Sequence, residues 1–236
     1  MNLILIRCTY SNEKVVKKIA LNLFLLCYNG KTMNLAIRTM QKPDIRQVEE
    51  IDRQAFPTLE TSVSYRRELK NSIARYIVAY EPNGHTEDHA VKGHKSLLKR
   101  TLDKIGLLLL GEASTKDKIV GFAGVWFLAG EAHLITFAVR DGYRGAHIGE
   151  YLLCAVLDTA IKFRASLVTL EVRLSNITAQ RLYQKYGFTQ RGYRKNYYSD
   201  TKESALIMTN DSINKKDFRT RLANMKKHIN DNFYPI

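Results

Sequence analysis

Apolar and polar residues alternate most regularly in the segment SLVTLEVRL, residues 166–174. Val168, Leu170, Val172 and Leu174 would share one face of an extended chain, because successive side chains of a strand point to opposite sides. The polar residues between them would share the other face. The segment is therefore predicted to be a strand with one buried face.

Residues 118–142 show a different pattern, an apolar run rich in Val, Ile, Phe and Ala that alternates only weakly. Strands covered on both faces have this composition, so we predict two such strands, joined by a turn near Gly130 and Glu131. Four further strands are predicted at LAIRTM (35–40) and ARYIVAYE (74–81) and around FTQRGYRKNYY (188–198) and ESALIMTN (203–210).

Helical spacing is found between these strands. Ile45, Val48 and Ile51 recur at helical intervals, and Asp44 is placed to cap their helix. Residues 62–72 are predicted to form a second, short helix. The order of these elements is typical of a mixed α/β domain.

Two more helices are predicted in the second half of the chain. Residues 175–188 are bounded by candidate caps, Ser175 or Asn176 at the start and Gly187 at the end. The other helix carries one apolar stripe, which consists of Ile148, Leu152, Val156 and Ala160.

The chain of 236 residues, 45% of them hydrophobic, suits one globular domain with extensions. We assign residues 34–210 to the domain and residues 82–118 to an insertion loop within it. Residues 1–33 form an N-terminal extension, and their membership of the domain is left open. Residues 211–236 form a basic C-terminal tail, either helical or irregular.

The formal net charge of +14 allows nucleic acid, a ribosome, a membrane surface or an acidic substrate as a partner, or a lysine-rich surface without a special partner. The apolar stretch within residues 17–30 is too short to span a bilayer, so no membrane association is expected. The three cysteines are widely spaced, which favours a reducing, cytoplasmic location. No cysteine or acidic pair completes a metal site with His85, His89 and His94, and no metal is predicted.

The segment GYRGAHIGEYLL, residues 142–153, places three glycines in a turn before a helix. Backbone N–H groups and the dipole at a helix start favour a phosphate there. The spacing differs from the dinucleotide fingerprint, however, and an ordinary strand-to-helix turn would have similar residues. The turn alone leaves both interpretations open.

Three segments taken together resemble the GNAT acyltransferase family. They are AVRDGYRGAHIGEYLL (138–153), VTLEVRLSNITAQRLYQKYGF (168–188) and RKNYYSDTKESALIM (194–208). Within the family they are most similar to the RimI-like enzymes, which acetylate the N-terminal alanine of a small-subunit ribosomal protein. The resemblance implies the GNAT fold, a mostly antiparallel central sheet with a splayed strand pair, flanked by helices.

The resemblance also implies acetyl-CoA as the acetyl donor and no metal. The pantetheine arm would pair with the backbone of Phe137, Ala138 and Val139, and Asn176 would touch the coenzyme. The pyrophosphate would lie on seven consecutive residues, Arg144, Gly145, Ala146, His147, Ile148, Gly149 and Glu150. His147 stands where the family pattern has glycine, and histidine is one of the few other residues that tolerate the left-handed region.

The same resemblance assigns catalytic roles to Glu171 as general base and Tyr183 as general acid. Tyr197 and Tyr198 would bind the substrate peptide. Without the resemblance, Glu171 could equally be a solvent-facing strand residue and Tyr183 a core residue.

The expected function is therefore transfer of an acetyl group to a protein N-terminus, most specifically the alanine of a small-subunit ribosomal protein. The ribosome is a candidate partner, and the expected protein is a cytoplasmic monomer. Two alternatives stay open: acetylation of another amine, such as a lysine or polyamine, and a non-catalytic CoA-binding or ribosome-associated module.

Overall fold

The structure, a computed structural model, describes residues 35–57, 63–82 and 117–233. The predicted N-terminal extension and nearly all of the predicted insertion loop lie outside these residues. The strands are β1 (Ala36–Thr39), β2 (Ala74–Glu81), β3 (Lys118–Leu128), β4 (Glu131–Val139), β5 (Val168–Arg173), β6 (Thr189–Arg194) and β7 (Ala205–Asn210). The helices are α1 (Ile45–Ala55), α2 (Tyr65–Glu68), α3 (Ile148–Lys162), α4 (Ile177–Lys185) and α5 (Lys216–Phe233).

Seven strands form one sheet in the order β1-β2-β3-β4-β5-β7-β6. Every neighbouring pair is antiparallel except β4 and β5, which are parallel. The β4–β5 pairing begins at Ala132 opposite Val168 and ends at Leu134 opposite Leu170. Beyond Leu134 the two strands diverge. The predicted mixed α/β fold, with a mostly antiparallel sheet and one splayed strand pair, is confirmed.

Strands β3 and β4 differ in burial, because β4 lies beside the gap that opens where it diverges from β5. Seven consecutive residues of β3, from Ile119 to Val125, are buried, as predicted for a strand covered on both faces. In β4 the buried residues are only Ala132, Leu134 and Ala138. The prediction of two-sided cover is therefore wrong for β4, because the gap beside β5 leaves part of the strand accessible.

The alternation in β5 is confirmed, with Val168, Leu170 and Val172 buried and the residues between them half-buried. Leu174 does not join them. It follows the last residue of the strand and is exposed.

Two layers of helices cover the sheet. On one face, α1 and α2 pack on the side chains of Tyr76, Val78 and Phe122. On the other, α3, α4 and α5 pack on a second cluster that includes Ile77 and Ala79. Alternate residues of β2 thus belong to different layers, as the pleat of a strand requires.

Asp44 does not cap α1 with its side chain, contrary to prediction. Its fully buried carboxylate accepts hydrogen bonds from both terminal nitrogens of Arg38 and from the backbone N–H of Gln41. Arg38 also pairs with Asp117 at 3.2 Å. Arg38 of β1 is therefore tied to the turn before α1 through Asp44, and to the residue before β3 through Asp117.

Residues 216–233 form a packed helix, α5, rather than an irregular tail. Phe218, Leu222 and Ile229 of α5 are buried in the same cluster as α3. Lys226 of α5 forms an ion pair with Asp158 of α3. The helical alternative is therefore the one observed, and α5 extends the hydrophobic core.

Candidate active site

The glycine turn connects the end of β4 to the start of α3 through three residues with left-handed backbones. Gly142 has φ 76°, Gly145 has φ 83° and His147 has φ 59° with ψ 9°. His147 occupies the N-cap position of α3. The prediction that a histidine can adopt the left-handed conformation in this turn is confirmed.

The turn is held close to the sheet by tight packing at its helix. A side chain at Gly121 of β3 would lie 2.9 Å from Leu152 Cδ1 and 3.0 Å from the carbonyl oxygen of Ala138. Ala146 and Ile148 are both buried. The start of α3 is thus fixed against β3 and β4, and its first N–H groups lie beside the end of β4.

The imidazole of His147 bends back towards the helix instead of projecting freely. Its Nδ1 lies 2.9 Å from Glu150 Oε1, while Glu150 Oε2 accepts hydrogen bonds from Lys185 and from the Tyr186 hydroxyl at 3.0 Å. Burial favours the neutral carboxyl, but the hydrogen bonds from Lys185, His147 and Tyr186 outweigh it and lower the pKa of Glu150. Glu150 therefore joins the turn, α3 and the end of α4.

Strand β4 has one unpaired edge along the divergence. Phe137, Ala138 and Val139 pair with β3 but have no partner on β5. The register with β3 also slips between Gly124 and Val125, which leaves Ile135 as an extra residue in β4. Backbone groups on this open edge can bond an extended ligand that follows β4 towards the glycine turn. An elongated molecule that carries a pyrophosphate, such as acetyl-CoA, fits this arrangement.

Glu171 lies on β5 just past the last residue paired with β4. Its Oε1 is 3.1 Å from a terminal nitrogen of Arg194, and its side chain is 20% exposed. The base proposed from the sequence is thus accessible, and its carboxylate is opposed by a guanidinium that the sequence analysis did not identify.

Tyr183 lies on α4 with its ring buried between two aromatic neighbours. The ring centroids of Phe137 and Phe188 lie 6.2 Å and 5.7 Å away. Burial raises the pKa of the Tyr183 phenol. The contact with Phe137 places this hydroxyl-bearing ring beside the open edge of β4.

Tyr197 and Tyr198 follow β6 and meet edge to face at 5.1 Å. Arg194 lies 5.6 Å from the ring centroid of Tyr197, and Arg173 lies 3.9 Å from that of Tyr198. Burial raises the pKa of Tyr197, and raises that of Tyr198 to about 12; the negative charge of Glu171 acts in the same direction on both. The loop is therefore electrostatically linked to the candidate base.

Tyr198 also interacts electrostatically with Tyr183. The structure thus brings the four residues predicted for catalysis and peptide binding into one region. Arg173 anchors this region through ion pairs with Asp200 at 2.7 Å and Glu203 at 3.2 Å.

Asn176 and Arg144 have structural contacts of their own. The side-chain oxygen of Asn176 accepts from the N–H of Ala179 at 3.1 Å and caps α4, as the sequence predicted. Arg144 is exposed and pairs with Asp141 at 3.0 Å. Cys154 is buried, and burial raises the pKa of its thiol to about 11, which agrees with a core role.

A cavity of about 430 Å³ lies where β4 bulges, on the α2 side of the sheet. Its walls include Arg67, Glu68, Trp126 and Ile135. The buried hydroxyl of Thr136 also lines it and has no hydrogen-bond partner among the described residues. The cavity therefore opens beside the point where β4 and β5 separate.

Residues 45–188 match the model of the acetyltransferase (GNAT) family. The chain belongs to this family. It is 32% identical over 174 residues to a Bacillus subtilis (strain 168) protein named "Putative ribosomal protein bS18-alanine N-acetyltransferase", covering 73% of this chain and 93% of that protein. It is 37% identical over 99 residues to the ribosomal protein bS18-alanine N-acetyltransferase of Escherichia coli (strain K12), covering 41% and 67% of the two chains.

Solved structures show the same fold as this member of the family. The ribosomal-protein-S18-alanine N-acetyltransferase from Escherichia coli superposes with a TM-score of 0.53 at 22% identity, covering 75% of this chain and 92% of that one. A chain of the NatC complex bound to Gag peptide and CoA superposes with a TM-score of 0.53 at 14% identity, covering 76% and 99%.

Among the described residues, no group of three or more His, Cys, Asp and Glu side chains is arranged to hold a metal ion. None of the described helices is both long and apolar enough to cross a membrane.

Proposed function

We propose that this protein transfers the acetyl group of acetyl-CoA to the N-terminal α-amino group of a protein, and that its substrate is the N-terminal alanine of small-subunit ribosomal protein bS18. The observation that carries the proposal is the similarity to the Bacillus subtilis relative, which extends over 93% of that protein. The cluster of Glu171, Tyr183, Tyr197 and Tyr198 beside the open edge of β4 supports it.

The coenzyme would lie along the gap between β4 and β5. Its pantetheine arm would bond the backbone of Phe137 to Val139, and its pyrophosphate would meet the N–H groups of the turn from Arg144 to Glu150. Because the oxygen of the Asn176 side chain caps α4, its NH₂ group is the part that would face the coenzyme.

Glu171 would act as the general base. Only a neutral amine is nucleophilic, and an α-amino group of pKa about 7.8 is about 14% neutral at pH 7, whereas a lysine of pKa about 10.4 is about 0.04% neutral. A carboxylate, directly or through water, is therefore sufficient to accept the proton from an N-terminal amine. Arg194 holds this carboxylate in place until the positively charged N-terminus arrives.

Tyr183 would act as the general acid. The amine forms a bond to the thioester carbonyl, the C–S bond breaks, and the leaving thiolate takes a proton from the tyrosine hydroxyl. A tyrosine of ordinary pKa about 10 is already protonated at neutral pH, so the hydroxyl has a proton to give. A backbone N–H of Phe137 to Val139 would stabilise the oxyanion.

The acceptor peptide would approach from the side opposite the coenzyme. Tyr197 and Tyr198 would bind its backbone, and the cavity beside Ile135 and Thr136 would receive its first residues. We place the enzyme in the cytoplasm as a monomer. The net charge of +14 favours approach to ribosomal RNA over approach to a free basic peptide.

The test is acetylation of defined peptides. The protein is incubated with acetyl-CoA and a peptide that begins with the N-terminal alanine sequence of bS18, and the mass gain of one acetyl group is followed. The same peptide with a blocked N-terminus should gain nothing, and a peptide offering only lysine amines should react far more slowly. Bound acetyl-CoA without turnover on any peptide would instead identify a non-catalytic module.

A further inference from the structure

A second cavity, of about 240 Å³, lies between the first turn of α3, the end of α4 and one side of α5. Three of its lining residues can carry positive charge: Lys185 of α4 and Arg221 and His228 of α5. Asn224 adds an amide, and Glu150 contributes the only carboxylate among the lining residues. The polar groups of the lining are therefore mainly basic, while Met225 and Ile229 contribute apolar wall.

The carboxylate of Glu150 does not exclude an anion from this cavity. Its two oxygens already accept hydrogen bonds from His147, Lys185 and Tyr186. A carboxylate shared among three donors keeps little negative potential for a neighbouring group. Because Lys185 and Glu150 balance each other, Arg221 supplies the net positive charge of the lining.

Arg221 is the cation best placed for a ligand. Its guanidinium lies 5.5 Å from the ring centroid of Phe218, and its Nη2 would lie 3.2 Å from a Cβ at Gly187. These contacts hold the group at the end of α4. Among the described residues, no carboxylate is paired with Arg221, which lines the cavity.

The cavity also lies next to the glycine turn. Glu150 bonds His147 with one oxygen and Lys185, a wall of the cavity, with the other. The cavity thus borders the site proposed for the pyrophosphate, to which the nucleotide of the same ligand is attached. Coenzyme A has one more phosphate on that nucleotide, attached to the 3′ position of the ribose.

We propose that this cavity binds the 3′-phosphate of coenzyme A, with Arg221 and Lys185 as its cationic ligands. The inference rests on the proposed use of acetyl-CoA but goes beyond it. The α5 helix lies outside the family match, which ends at residue 188. Arg221 would thus be a coenzyme contact that this chain adds to the family's site.

The experiment compares two ligands that differ only in this phosphate. Binding of acetyl-CoA and of 3′-dephospho-acetyl-CoA to the full chain is measured by titration calorimetry at one fixed, low ionic strength. We expect the dephospho form to bind about tenfold more weakly, as for the loss of one charge-assisted contact. Equal affinities would overturn the inference, whereas failure to bind either ligand would overturn the proposed function instead.

Variants of Arg221 localise the effect. R221M keeps the aliphatic contact with Phe218 and removes the charge. It should bind acetyl-CoA more weakly than the unmodified chain does, while its affinity for the dephospho form stays the same. The two ligands should then bind almost equally. R221K should retain most of the discrimination. The matched control is R219M, because Arg219 is exposed on the same helix and bonds Asn214 instead. Discrimination by R221M equal to that of the unmodified chain would overturn the assignment.

Discussion

At the scale of single residues, substitution of Glu171 distinguishes a catalytic role of its carboxylate from a structural one. E171Q preserves size and removes the base, so kcat should fall about 100-fold or more. The half-exposed ion pair with Arg194 contributes little to stability, and the variant should remain folded. Peptide acetylation kinetics measure the loss, and calorimetry should show unchanged acetyl-CoA affinity.

The matched control for this variant is E131Q. Glu131 is a half-exposed carboxylate at the start of β4, paired with His133 at 3.3 Å. Its removal should leave kcat unchanged. Turnover by E171Q at the rate of E131Q would remove Glu171 from the mechanism.

His147 provides a second residue-scale prediction, since its left-handed backbone is the conformation that glycine adopts most easily. H147G should keep or improve acetyl-CoA affinity in calorimetry, because the N–H groups of the turn stay in place. H147A, which cannot relax the backbone in the same way, should be about 1 kcal/mol less stable than H147G. A large loss of affinity in H147G would instead mean that the imidazole itself binds the pyrophosphate.

At the scale of elements, the sequence predicted the strands and helices of the sheet well because their patterns are local. β5 alternates, β3 is continuously apolar, and the caps of α4 are in the sequence itself. The sequence analysis left α5 undecided, although Phe218, Leu222 and Ile229 recur at helical spacing. That stripe is diluted by many charged residues, and only its packing on α3 made it a core element.

Contacts between distant elements were not predictable from such patterns. Arg194 of β6 reaches Glu171 of β5 although β7 lies between their strands in the sheet. Lys185 reaches Glu150 across 35 residues of sequence. Pairings of this kind depend on the sheet order, which no single segment encodes, and they determine the electrostatics of the candidate site.

The prediction at this scale concerns Glu150 and its hydrogen-bond partners His147, Lys185 and Tyr186, which join the start of α3 to the end of α4. The pKa of Glu150 is lower in the folded state than the usual 4.5. The corresponding stabilisation is fully present above pH 4.5 and is lost as the pH falls through the folded pKa. Denaturant unfolding between pH 7 and pH 3 should therefore show a smaller loss of stability for E150Q than for the unmodified chain. Identical pH dependence in both would exclude a contribution from this cluster.

At the scale of the whole molecule, the core formed by the described residues includes Leu35 and extends into α5. The family match covers residues 45–188, so both ends of this core lie beyond it. The sequence assigned residues 211–236 to a tail, yet four of their side chains, those of Ile213, Phe218, Leu222 and Ile229, are buried in the same cluster as α3. The boundaries of the functional unit are thus better argued from burial than from the family pattern.

Two truncated chains test these boundaries. A chain of residues 34–236 should retain acetyltransferase activity and stability, since it contains Leu35 and every described element. A chain of residues 34–210 should be severely destabilised, because it exposes the apolar surface of α3 that Phe218, Leu222 and Ile229 cover. Burying one such side chain contributes about 1.5–3 kcal/mol, and domains of this size are only marginally stable. Thermal unfolding and peptide acetylation measure both outcomes.

Full stability of the shorter chain would show that α5 is dispensable for the fold. The coenzyme contact proposed for Arg221 could then be removed without affecting the fold.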